Sequence, residues 1–212
     1  MNENISTRNR LLAQKVISGL ESRNMAGYFA ETKEEALQKA LELIPEGSSI
    51  GWGGSASVNE IGLRDAIIGG NYTVHNRDIA PTPEERKAIE RQIFGADYFL
   101  CSSNAITEDG ILVNIDGNSN RVAAIAYGPS HVIMIVGMNK VAKDVDAALY
   151  RARNIAAPIN AQRFPVDTPC KKTGSCANCK SPSTVCCEFL ITRFSKHPGR
   201  FHIILVNEDL GF

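Results

Sequence analysis

Apolar positions along the chain switch between two periods, and the switching predicts its elements. Residues 6–23 carry Leu11, Leu12, Val16 and Leu20 near helical spacing, and Ala36, Leu37, Ala40, Leu41 and Ile44 repeat that spacing until Pro45 stops it. Strand-sized apolar runs fall at 25–30, 48–52, 72–76, 98–102, 111–115 and 131–136. Helical patterns at 58–68, 82–94, 121–127 and 144–156 lie between them. Two helix starts are chemically marked. In Thr32-Lys33-Glu34-Glu35 and Thr82-Pro83-Glu84-Glu85 a hydroxyl precedes a carboxylate by three residues, so each can satisfy the other's free amide. Pro83 also stands where a missing N–H costs nothing. Parallel strands need crossover helices, so this alternation predicts an α/β fold: a mainly parallel sheet with helices on both faces.

After Pro158 the pattern breaks. Residues 161–187 are rich in Lys, Thr, Ser, Pro and Cys and lack a period, which predicts a long loop with a function or a staple. Runs at 189–194 and 201–206 then read as strands joined by Lys196-His197-Pro198-Gly199. The expected organisation is an α/β domain over 1–160, a cysteine-rich loop over 161–187, and C-terminal strands over 188–212 returning to the same domain.

Composition narrows the function. Lys plus Arg and Asp plus Glu each number 23, so no global field favours nucleic acid or an anionic membrane. No apolar run approaches the roughly 18–20 residues of a membrane span, and the polar first ten residues do not form a signal peptide. A cytoplasmic location is expected. In that reducing compartment the five cysteines between Cys170 and Cys187 read as metal or redox chemistry before disulfides.

Four places could carry chemistry. In the first, Gly51-Trp52-Gly53-Gly54-Ser55-Ala56-Ser57 lies between a strand and a helix. Gly53 and Gly54 let the backbone approach a ligand, and free amides with the Ser55 and Ser57 hydroxyls would cradle a phosphate or carboxylate. Glu60 would serve as a site carboxylate or as the cap partner of Ser57; a plain tight turn is the competing reading. The segment is neither a dinucleotide fingerprint nor a Walker loop, since the third glycine and the lysine are missing. In the second, Thr107-Glu108-Asp109-Gly110-Ile111-Leu112-Val113-Asn114, the carboxylates of Glu108 and Asp109 could divide acid and base roles. Asn114 and Asn120 would orient a substrate, and Arg121 would grip its anion. Taken alone, hairpin-turn chemistry explains Asp-Gly and Gly-Asn better than a catalytic role does. In the third, Lys140 follows the most apolar strand and could clamp a phosphate or polarise a carbonyl, a solvated lysine being the alternative. His75 and His131 read as structural.

The fourth is Cys170-x5-Cys176-x2-Cys179-x6-Cys186-Cys187. A Cys-x2-Cys pair sets two sulfurs on one metal, and further cysteines complete a tetrahedral set. The spacing matches neither a zinc ribbon nor the ferredoxin run, so the cofactor is expected to be an iron–sulfur cluster or zinc. Idle thiols and a redox dithiol compete. Adjacent Cys186 and Cys187 should not both ligate, and Cys101 should be a buried strand residue taking no part.

Residues 51–62, Thr107–Asn114 as quoted, Asn120-Arg121 and 136–140 resemble the lactate-utilisation (LUD) domain of the LutC/YkgG group over about residues 10–160. The cysteine segment followed by Val206-Asn207-Glu208-Asp209-Leu210-Gly211 resembles members with a cysteine-rich C-terminus. The resemblance implies a fold similar to ribose-5-phosphate isomerase and CoA transferases. It also implies a part in oxidation of L-lactate or a related 2-hydroxy acid, a small anionic substrate and an iron–sulfur partner protein. Ile111 and Leu112 stand where the isomerases carry an acidic pair, so the isomerase mechanism does not transfer. Two rivals stay open: a stand-alone isomerase or transferase on a phosphorylated or CoA-linked substrate, and a non-catalytic, metal-stapled binding protein. Oligomeric state, a homo-oligomer included, is left open.

Overall fold

The computed structural model describes residues 2–212. A six-stranded parallel sheet forms its centre, in the order β1 (Ala26–Ala30), β10 (Phe201–Val206), β7 (His131–Gly137), β4 (Tyr98–Cys101), β2 (Ser49–Trp52), β3 (Thr73–His75). The side-chain period of a strand sorts its residues to two faces. Along β7, Val132, Met134 and Val136 join one apolar cluster, while Ile133 and Ile135 join the other. On the first face lie α1 (Glu3–Ser22), through Ala13, Val16 and Leu20, α5 (Pro83–Ile93), and α6 (Asn120–Ala126), through Ala124 and Ile125. On the second lie α2 (Lys33–Glu42), through Ala36 and Ala40, α3 (Ala56–Glu60) and α4 (Leu63–Gly69). This is the doubly covered α/β sheet that the alternation predicts.

The hydroxyl half of each expected capping box forms: Thr32 and Thr82 hydroxyls each accept an amide hydrogen at 3.2 Å, from Glu35 and Glu85, while the Glu35 carboxylate accepts from the Glu31 amide and that of Glu85 from the Thr82 hydroxyl. Each such cap is worth about 1 kcal/mol. Three features differ from the sequence reading. The helix expected over 58–68 is two helices, because Gly62 takes φ +73°, a left-handed turn that ends α3 before α4 begins. Ser55, not Ser57, caps α3, accepting from the Val58 amide at 3.3 Å.

The third difference is a second sheet, in the order β8 (Val141–Ala142), β5 (Ala105–Thr107), β6 (Leu112–Asp116), β9 (Glu188–Thr192), with antiparallel β5–β6 and β6–β9 pairs. The two C-terminal strands therefore part company. β9 joins this small sheet, and β10 inserts between β1 and β7 of the large one. Ala105, Val113 and Ile115 pack against Ala148 and Ala152 of the helical run that starts as α7 (Val145–Arg151). That run continues through a π-helical stretch at Ala152–Ala156 into α8 (Ala157–Ala161). A last short helix, α9 (Pro169–Thr173), begins the cysteine segment. Among the described residues no helix is long and apolar enough to cross a membrane.

Candidate functional site

Parallel strands deliver their carboxyl ends to one edge of the sheet, where open α/β folds bind ligands. Four strands do so here. The chain leaves β2 at Gly53-Gly54-Ser55, β4 at Ser102-Ser103-Asn104, β7 at Met138-Asn139-Lys140, and β10 toward Gly211. These segments share one cavity of about 660 Å³.

Lys140 lies on its floor, 3% exposed, donating to Ser57 Oγ at 2.9 Å and Ser102 Oγ at 3.0 Å. Among the described residues no carboxylate pairs with it. Burial lowers its pKa from 10.5 to about 7, helped by the positive charges of Arg151 and Arg121 and opposed by Glu60 and Cys101. The group therefore exchanges its proton near neutrality, where a general acid or base is most useful. Glu60 holds the neighbouring chain in place: its Oε2 accepts from the Gly211 amide at 3.0 Å.

One wall is an ion-pair network. Arg77, 8% exposed, donates to Glu90 at 2.7 Å, and its buried Nε has no hydrogen-bond partner. Arg86 lies 3.6 Å from Glu90, and Arg64 lies 3.2 Å from Asp78, which also accepts from the Trp52 indole at 2.9 Å. Asn120 donates to Glu90 at 2.9 Å. The cavity's cations are Arg64, Arg77, Arg86, Arg121, Lys140 and Arg163, against Asp78, Glu90 and Asp116. Asp116 is committed elsewhere, accepting from the Arg121 and Val122 amides at the start of α6. Six cationic side chains against three carboxylates give the cleft an excess of positive charge, which favours anions.

The residues singled out from sequence thus divide. Gly53, Gly54, Ser55, Ser57, Asn120, Arg121 and Lys140 line one cavity, with Glu60 behind it. Arg121 is spent on the protein. It donates to Ser102 O, Asn114 Oδ1, Asn104 Oδ1 and Ile115 O, which uses four of a guanidinium's five N–H bonds and leaves no fork for an anion. Asn114 is fully buried beneath it and does not line the cavity; its Nδ2 is unpartnered.

Glu108 and Asp109 lie elsewhere, on the β5–β6 turn. Glu108 accepts from Lys15 at 2.5 Å and Lys143 at 2.9 Å, which holds its carboxyl down at about 2. Asp109 accepts from Thr107 and Arg23. The reason is steric. A Cβ at Gly19 would sit 2.4 Å from the Asp109 backbone, and one at Gly110, with φ +85°, 2.4 Å from that of Leu20. The Thr-Glu-Asp-Gly block is a turn pressed against α1.

Sequence reasoning missed Arg77, Glu90, Ser102 and Asn104. Ser102-Ser103-Asn104 carried a usable signal, since small polar residues directly follow a buried strand, as at Ser55. Arg77 and Glu90 carried none.

The cysteines are all free thiols. Cys170, Cys176, Cys179 and Cys186 line a second, smaller cavity of about 170 Å³, and Cys187 is exposed outside it. Burial raises the Cys186 pKa, the Thr184 hydroxyl opposes, and nearby Cys176, Cys179 and Cys170 add to the rise. Cys101 is buried in β4, its thiol pushed up to about 12 by burial.

A parallel sheet with helices on both faces and a cleft at its carboxyl edge defines the chain as a doubly covered α/β domain. The family follows from the sequence. The LUD domain profile matches residues 13–206, and the chain belongs to the LUD domain family. Among solved structures it is similar to a DUF162 family protein from Deinococcus radiodurans, with 13% identity, TM-score 0.54, and coverage of 94% of this chain and 98% of that one. Ribose 5-phosphate isomerase A from Neisseria gonorrhoeae (16% identity, TM-score 0.35) aligns over 53% of this chain and 54% of its own. For eIF2B delta from Chaetomium thermophilum (16%, 0.35) the shares are 68% and 57%. No curated protein matches the chain. Membership supports a lactate-utilisation-type role at the level of the family.

Proposed function

We propose that the chain binds L-lactate or a related 2-hydroxy acid in this cavity and takes part in its oxidation. The carrying observation is Lys140: a buried amine with no carboxylate partner among the described residues, fixed by Ser57 and Ser102 at the floor of the cleft. Protonated, it neutralises the substrate carboxylate. Conversion to the 2-oxo acid releases two electrons and two protons; the electrons pass one at a time to an electron-accepting partner protein of the iron–sulfur class, and the protons pass to solvent. Arg77 and Arg86 supply the field that holds the anion, and Arg121 keeps the β4 and β6 ends in register beneath it.

One observation favours a second reading, a stand-alone isomerase or transferase acting on a phosphorylated or CoA-linked substrate. The cleft of about 660 Å³ is several times the size of lactate and lies within the range of clefts that hold larger ligands. Calorimetric titration with L-lactate, glycolate, inorganic phosphate and ribose 5-phosphate separates the two. The first reading expects the 2-hydroxy acids to bind and Lys140→Met to abolish it. Binding by the phosphates alone would replace it with the second.

A further inference from the structure

We propose that Cys170, Cys176, Cys179 and Cys186 ligate a [4Fe–4S] cluster whose protein cage forms one wall of the anion cleft. This goes beyond the function proposed above and does not depend on it.

The convergence is built by the backbone. Cys170 lies in the first turn of α9, which follows the buried Thr168, begins at Pro169 and ends at Gly174 with φ +73°. Between Cys176 and Cys179, Asn178 takes φ +50°, a left-handed conformation that asparagine tolerates better than most residues. That residue folds the Cys-x2-Cys turn back and is tied to Arg153 of the π-helical stretch. Cys186 packs on the apolar cluster beneath the small sheet. The next amide, that of Cys187, donates to Asp116 O at 2.8 Å as the chain enters β9. Consecutive residues of an extended chain point to opposite sides, so Cys186 faces the cavity and Cys187 faces solvent.

Two hydroxyls support the sulfurs. Thr168 Oγ1 lies 3.3 Å from Cys170 Sγ, and Thr184 Oγ1 lies 3.2 Å from Cys186 Sγ, each two residues before its cysteine. A thiolate would accept both hydrogens, the kind of outer contact that tunes a metal site. Arg153 on the cavity wall offsets part of the thiolate charge.

Size selects the cofactor. A single zinc ion binds sulfur at about 2.3 Å, drawing four sulfurs into near contact around one atom. Here the four thiols line a cavity of about 170 Å³. A cubane cluster seats its cysteines at the corners of a wider tetrahedron and fills such a space. Thr184 and Val185 line this cavity and the cleft alike, so one short segment separates the cluster from the bound anion.

The test uses the full chain, purified anaerobically and then reconstituted with ferrous iron and sulfide. Iron, zinc and acid-labile sulfide are counted, and visible absorption is recorded. The expected result is about four iron and four sulfide per chain, the content of one cluster on four thiolates. Cys176→Ser and Cys186→Ser should each lose most of that iron, while Cys187→Ser keeps it. Far-UV circular dichroism of each variant, and Thr184→Val, which leaves every thiol in place but shifts the cluster's reduction potential, separate ligand loss from unfolding. Stoichiometric zinc without sulfide, or equal iron loss in Cys187→Ser and Cys176→Ser, would overturn the proposal. Absence of bound metal after reconstitution would overturn it too.

Discussion

Replacing Lys140 with methionine keeps most of the side chain's stem and removes its charge, so the variant isolates what burying that amine costs. In the unfolded chain the group titrates near 10.5, and in the folded protein near 7. Between those values the unfolded chain holds a proton that the native chain has released, so native stability rises with pH. The group's penalty is full below pH 7 and gone above about pH 10.5. One pKa unit corresponds to about 1.4 kcal/mol. From pH 7, where the native amine is half protonated, to pH 9, the wild type should gain about 2 kcal/mol that Lys140→Met does not. Urea unfolding of both proteins at the two pH values, followed by circular dichroism, reads this directly. The variant also loses hydrogen bonds to Ser57 and Ser102, but that loss is common to both pH values and cancels in the slope. Equal slopes in the two proteins would mean that Lys140 is not held in a desolvating site, and the reasoning would fail.

Ser57→Ala removes one partner of Lys140 and one wall hydroxyl, and should weaken 2-hydroxy acid affinity about five- to tenfold, the worth of one hydrogen bond, by calorimetry. Glu108→Gln should leave that affinity unchanged, because Glu108 pairs with Lys15 and Lys143 away from the cleft. Arg200→Met should cost about 2–4 kcal/mol in urea unfolding: the buried guanidinium donates to the Ala124 and Ile125 carbonyls in the last turn of α6 and to Pro129 O beyond it, and methionine takes that donor from the Ile125 and Pro129 carbonyls.

Much of the fold was legible because local chemistry and long-range packing agree. Thr32 and Thr82 announce their helices, and the unbroken apolar run of β7 announces a strand buried on both faces. The Gly53–Ser57 segment and Lys140 were legible by position, each following a buried strand. Glu108 and Asp109 were misread because an acidic turn looks alike in a catalytic loop and in a tight hairpin. Only the approach of Gly19 on α1, ninety residues away in the chain, distinguishes them. The Arg77–Glu90 wall was hidden because a polar helix face does not say what it overlooks. Strands β9 and β10 look alike in sequence, and their separation into two sheets depends on which edges β6 and β7 leave open.

The central claim is that Lys140 meets the substrate's carboxylate. Isotope-labelled lysine gives Lys140 its own NMR signal, assigned by its absence in Lys140→Met, and its titration can be followed with and without L-lactate. The account predicts a resonance titrating near pH 7 in the free protein, shifted by L-lactate, with its pKa raised as the anion stabilises the charged amine. A signal that titrates near 10.5, or one that saturating L-lactate leaves in place, would contradict it.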